Sequence, residues 1–339
     1  MRRIIETSVL FAALTMAMPA SAQEKVLGLA AIDLQNSFFV RMKEAGDVAA
    51  ADYGVRSTWQ SAEGSLEKQV AIIENFINQG VSAILIDPLD KNAVVPVIQK
   101  ATAAGIPVIT MGNKVEAGDN HSTLYPDYEN MGMVARAIGT SLGGQGQVAL
   151  LVGSRGNFVS DTREKGFVDT MEKEFPDIEV VGILPTDWDA AKATNAAQTW
   201  LTTYPELSAI ACISDSLCLA ADSVANALGS ELIYGGYDGD AEMKELIDSG
   251  KMVMDVLTGA YRVGYWNIAV AARLADDQDL PKDLYMPTYF VTSDETAEKL
   301  KAAGMEFDYI DTERQAAEAQ NYTEQLGPTL PASAMTVSQ

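Results

Sequence analysis

Short apolar runs rich in β-branched residues recur at 26–32, 55–59, 82–86, 106–110, 147–152, 178–184, 208–213, 231–236 and 252–257, and a stretch of helical spacing separates most successive pairs. Such alternation predicts parallel sheets with helices on both faces. Gly54, Gly80, Gly105, Gly229 and Gly250 each stand where a periodic stretch stops and the next strand begins, the position that a left-handed helix terminus favours. The first run leads into Asn36-Ser37-Phe38-Phe39, a polar break followed by two adjacent rings. Ser37 is placed to cap a helix that extends to Ala51. Ligands of open α/β sheets collect outside such strand ends. Taken alone, however, the two rings read as core residues.

The alternation falters between Val115 and Tyr128, again at Thr258-Gly259, and a third time near Val291-Thr292-Ser293. Three irregular points predict two lobes that exchange strands through a hinge of three segments. The division that follows is an N-terminal leader at 1–22, a first lobe from 23–125 and 260–291, a second lobe from 126–259 and 292–315, and a tail at 316–339. Residues 295–303 and 312–326 read as helices. Beyond Gly327 there is no apolar period, and the segment reads as mobile.

Met1-Arg2-Arg3, an apolar stretch from Val9 to Met18 and Pro19-Ala20-Ser21-Ala22-Gln23 have the three regions of a secretory signal, with cleavage expected after Ala22. The apolar stretch is shorter than the roughly 20 residues that cross a bilayer. Losing Arg2, Arg3 and Glu6 turns 24 basic and 47 acidic side chains into 22 and 46. So acidic a chain is a poor partner for nucleic acid or anionic lipid. The 339 residues, 47% of them hydrophobic, exceed one usual core and can fill two. Cys212 and Cys218 are the two cysteines. An exported compartment allows a bridge between them, but two buried thiols fit the sequence equally well.

Catalytic signatures are missing. The chain has no Gly-x-Ser-x-Gly turn and no His-Glu-x-x-His, and His121 is its single histidine, so metal clusters built on histidine and cysteine are excluded. Asp161 and Asp238 are the one carboxylate pair to be weighed for glycoside chemistry, and nothing else in the chain supports that reading. Gly143-Gly144-Gln145-Gly146-Gln147 closes a helix and opens a strand, the reverse of a phosphate-binding loop, and reads as a turn. We therefore expect no enzyme, no cofactor and no metal.

Six pieces, in order and at characteristic spacing, resemble the periplasmic sugar-binding proteins of the ribose and galactose type: Asn36-Ser37-Phe38-Phe39, Gly105-Ile106-Pro107-Val108-Ile109-Thr110, Arg163-Glu164-Lys165-Gly166-Phe167, Asp187-Trp188-Asp189, Ser214-Asp215-Ser216 and Gly235-Gly236-Tyr237-Asp238-Gly239. The likeness runs over about 26–291. It implies two Rossmann-like lobes joined by the three-segment hinge, and a solute-binding component of an ABC importer in the periplasm. It further implies lobe closure around a small ligand, a monomer, and delivery to a membrane permease, with a chemoreceptor as an optional second reader.

Carried across residue by residue, the resemblance makes Asn36 a polar contact, Phe38 and Trp188 stacking rings, and Asp238 an acceptor for sugar hydroxyls, with Phe39 behind Phe38. Aromatic faces suit the C–H face of a sugar and planar polar groups suit its rim. Arg163 either reaches the ligand or braces its helix through a carboxylate. The chain departs from the ribose type at Gly112 and Asn113, where an acidic-basic pair is usual. It departs again at Asp161 in place of an arginine, with Asn157 nearby, at Ser214 in place of an asparagine, and at Thr258 in place of an amide. These exchanges favour a donor-rich ligand such as a polyol, cyclitol, deoxy- or amino-sugar, because carboxylates accept and cannot donate. A nucleoside-like or cationic ligand and a sensory role are the alternatives within the same fold.

Overall fold

The computed structural model describes residues 24–321. The expected leader, its cleavage point and the tail from 322 onward lie outside them. The chain begins with strand β1 (Val26–Ala31), helix α1 (Ser37–Asp52), β2 (Arg56–Ser61), α2 (Leu66–Gln79), β3 (Ala83–Ile86), α3 (Val95–Ala103), β4 (Val108–Met111) and β5 (His121–Leu124). It continues through α4 (Asp127–Ser141), β6 (Gly146–Val152), α5 (Phe158–Glu174), β7 (Ile178–Pro185), α6 (Ala190–Thr203), β8 (Leu207–Cys212), α7 (Asp215–Leu228), β9 (Ile233–Gly235), α8 (Lys244–Asp248) and β10 (Met252–Leu257). The last elements are α9 (Ala260–Ala275), β11 (Asp283–Tyr285), β12 (Tyr289–Val291), α10 (Asp294–Ala302) and α11 (Thr312–Glu318).

Two six-stranded sheets result. The first has the order β11-β5-β4-β3-β1-β2 and the second β12-β10-β9-β8-β6-β7. Every pairing is parallel except β10 with β12. Two layered α/β lobes are therefore present, and the chain passes between them at 125–126, 258–259 and 286–288. The third passage comes earlier than expected at 291–293, because Tyr289–Val291 pairs with β10 in the second sheet rather than extending the first lobe. Strands β11 and β12 are three residues long and flank Pro287, too short to show a period. Helix α11 stops at Glu318, short of the 326 expected, and takes in the first residues assigned to the tail.

Helix pairs cover the sheets at close range. A Cβ built on Gly264 of α9 would lie 1.9 Å from the Met42 carbonyl oxygen of α1, and one on Gly166 of α5 would lie 2.2 Å from that of Tyr128 in α4. Each lobe thus has one helix crossing that only glycine permits. The predicted stops after α2 and α7 are left-handed, with φ 64° at Gly80 and 67° at Gly229. Helix α1 is capped by Asn36, whose side chain accepts from the Phe38 amide at 2.9 Å, and Ser37 is the first helical residue instead of the cap. Cys212 and Cys218 form a disulfide that closes a short loop carrying Ser214 and Asp215.

Candidate functional site

Each lobe presents the carboxyl ends of its parallel strands to the other, and the loops that follow those strands carry the polar and aromatic residues facing the gap. A cavity of about 90 Å³ lies there. At one water per roughly 10–15 Å³ on this measure, it has room for several waters. Asn36, Phe38, Asn113, Asn157, Arg163, Trp188, Ser214 and Asp238 line it. Asp161 and Thr258 do not.

The first lobe contributes the start of α1. Phe38 and Phe39 meet edge to face with ring centres 5.7 Å apart, and both reach the cavity, so Phe39 is more than a support. The second lobe answers with Trp188, between β7 and α6. Asp187 and Trp188 both have positive φ, 54° and 65°, a conformation non-glycine residues rarely adopt. Such strain persists only where surrounding structure enforces it, and it clusters at functional sites. Here it lays the indole against Gly153, where a Cβ would come within 2.4 Å of the ring.

Asp238, after β9, has φ 124° and is buried. Its Oδ2 accepts from the Ser214 hydroxyl at 2.7 Å and its Oδ1 lies 3.4 Å from Arg163 Nη1. Burial pushes this carboxyl up to about 7, against the opposing pull of Arg163. Arg163 itself is buried in the cavity lining. Its Nε donates to Asp127 at 2.8 Å, its Nη1 to the Ile213 carbonyl at 2.7 Å, and its guanidinium sits 3.4 Å over the Tyr237 ring. Of the two roles left open for it, bracing through a carboxylate is present in this geometry, with Asp127 as that carboxylate.

Asn113 and Asn157 tie the lobes together. Asn157 caps α5 and donates to the Pro88 carbonyl at 3.0 Å, while Asn113 accepts from the Val159 amide at 3.1 Å. At the rim, Asp161 accepts from Lys91 at 3.0 Å and Arg41 donates to Asp240 at 2.8 Å. Asp161 therefore fails as a cavity acceptor: one turn beyond the cap of α5, it points to the rim and is taken up by Lys91. Thr258 is likewise displaced. Its buried hydroxyl donates to the Asp238 backbone carbonyl at 3.4 Å, supporting the Asp238 loop from behind.

Sequence reasoning missed Asp87 and Tyr125, which also line the cavity. Asp87 follows the all-apolar strand β3 and precedes Pro88, a charged residue at a strand's carboxyl end, and that position was the available signal. Burial pushes its carboxyl up to about 7, with the Asn113 hydrogen bond opposing. An acid whose pKa is raised on folding contributes stability that is complete below the ordinary carboxylate range and is lost as pH rises through the folded value. We therefore expect urea unfolding of the ligand-free protein to show Asp87→Asn gaining stability over the wild type as pH goes from 5 to 8. Burial lowers the pKa of His121, which acts in the opposite sense in that window, so the difference between the two proteins is the informative quantity.

With this geometry in view, residues 27–279 match the periplasmic binding protein domain family. The ribose import binding protein of Bacillus subtilis is 28% identical over 256 residues, covering 75% of this chain and 82% of that protein. The xylitol-binding protein of Mycolicibacterium smegmatis is 26% identical, covering 78% and 76%. In three dimensions, an ABC transporter periplasmic solute-binding protein from Actinobacillus succinogenes, solved with bound D-allose, superposes with a TM-score of 0.75 at 24% identity, over 81% of this chain and 100% of the other.

Proposed function

The chain belongs to the periplasmic binding protein domain family, and on that premise we propose that it is the extracytoplasmic solute-binding component of an ABC importer, holding a small hydroxyl-rich ligand between its lobes. The observation that carries this reading is the cavity faced by Phe38 from the first lobe and by Trp188 and the Asp238 carboxyl from the second, a set that neither lobe supplies alone. Rings take the C–H face of a sugar, polyol or cyclitol, and the carboxyl accepts from its hydroxyls. Relatives that carry ribose or xylitol in their names support that class. They are binding proteins by name, and the cavity is read as a binding site without catalysis.

The cycle follows from the three-segment connection. Ligand enters with the lobes apart, the lobes close on it, and the closed form presents both faces to a membrane permease. The leader exports the chain to the periplasm, where it works as a monomer. The contacts of Asn157 with Pro88, of Asn113 with Val159 and of Arg41 with Asp240 are those that opening would break.

A thermal-shift screen with aldoses, amino sugars, polyols and cyclitols tests the function. A ligand at a thousandfold excess over its Kd stabilises by about 4 kcal/mol, which raises the midpoint by several degrees. The same ligand should reduce the radius of gyration in solution scattering. Absence of stabilisation by every member of the four classes would overturn the reading.

A further inference from the structure

The charge balance of the cavity narrows the ligand class, an inference that rests on the solute-binding reading. Asp87 is 8% exposed and lines the cavity. Its Oδ1 accepts from Asn113 Nδ2 at 2.7 Å. Among the described residues no hydrogen bond reaches its Oδ2, and no lysine or arginine forms an ion pair with it. Across the cavity stands Asp238, and Arg163 is the one cation in the lining. That guanidinium is already engaged by Asp127, 2.8 Å from its Nε, and lies 3.4 Å from Asp238. The neighbouring Lys91 is held at the rim by Asp161.

Three buried carboxyls thus share one guanidinium. A buried carboxylate is costly unless a proton, a donor or a countercharge compensates it; Asp87 has one side-chain donor, Asn113, and no ion pair, and the Arg163 charge acts on it only from a distance while paired with Asp127 and Asp238. The remaining walls include Phe38, Phe39, Trp188 and Tyr125, whose faces attract cations. We propose that within the hydroxyl-rich class this cavity selects ligands bearing a protonated amine, an amino sugar or amino polyol, and that Asp87 receives the ammonium group. A neutral hydroxyl also donates to Asp87, but its bond lacks the charge assistance that an ammonium supplies, and it leaves the negative excess of the cavity uncorrected. The elevated carboxyl of Asp87 in the ligand-free protein is the same deficit met by a proton.

Matched pairs test this by calorimetric titration: serinol against glycerol, D-glucosamine against D-glucose, and D-galactosamine against D-galactose, with D-ribose, xylitol and myo-inositol titrated alongside. The expected result is that in at least one pair the amine binds about tenfold more tightly, the scale separating a charge-assisted bond from a neutral one. That preference should disappear in Asp87→Asn. Equal or weaker binding of the amine in every pair that binds overturns the proposal, and so does a preference that survives in Asp87→Asn. The wild-type comparison needs no variant to fold. Should the neutral solutes bind and no amine do so, the amine assignment falls and the solute-binding reading stands; silence from all probes removes both.

Discussion

Exchange of Arg163 for methionine is expected to destabilise the protein by about 3–5 kcal/mol at pH 8, the cost of removing one partner from a buried ion pair. The chain of cause is local. Asp127, Asp238 and the Ile213 carbonyl all face this guanidinium, and Tyr237 lies beneath it. Methionine fills much of the volume but leaves two carboxylates without their cation. Burial already holds Asp238 near 7, so at pH 5 it is neutral and the loss should be smaller. Adding Asp127→Asn to the variant should recover part of the stability, because both charges of the closest pair are then gone. Urea unfolding at the two pH values measures all of this; an equal loss at pH 5 and pH 8 would separate Arg163 from the carboxylates.

Substitution of Trp188 by alanine should weaken ligand binding by at least about 30-fold, the scale of losing an aromatic anchor in a desolvated pocket. Its stability cost should stay below the roughly 3–5 kcal/mol of a fully buried tryptophan, because the ring is only partly buried, against Gly153 and the edge of the second lobe's core. Trp188→Phe, which keeps a ring on the same strained backbone, should restore most of the affinity. Titration of the best ligand from the thermal-shift screen decides the matter. Wild-type affinity in the alanine variant would mean that the ligand does not stack here.

The strands with continuous apolar runs were legible in the sequence, and β5 shows why others were not. His121–Leu124 lies within the sheet with Ser122, Thr123 and Leu124 buried; the Ser122 hydroxyl is 2.9 Å from that of Thr110, and Thr123 donates to Asn267 at 2.7 Å. Polar side chains that satisfy one another can occupy a core strand, and no hydrophobic pattern then marks it. The disulfide was undecidable for a different reason. Six residues of separation permit a bridge, but only the turn from β8 into α7 brings the two Cα atoms to 5.5 Å.

At the site, residues fixed by a strand end or helix start were readable: Asn36, Phe38, Trp188 and Asp238 all sit at such junctions and reach the cavity. Asp161 was misjudged because a loop position and a position one helical turn later look alike in sequence, while in space the turn swings the carboxylate to Lys91. Asp87 was overlooked because its partner Asn113 lies on the loop after β4, and only the pairing of β3 with β4 brings the two together.

The most direct test of the account is a crystal structure of the chain grown with the tightest-binding solute from the screen. The account predicts that solute in the cavity between the lobes, its ring or chain between Trp188 and Phe38 and its donors on Asp238. The same solute bound elsewhere on the molecule, with this cavity unoccupied, would contradict it.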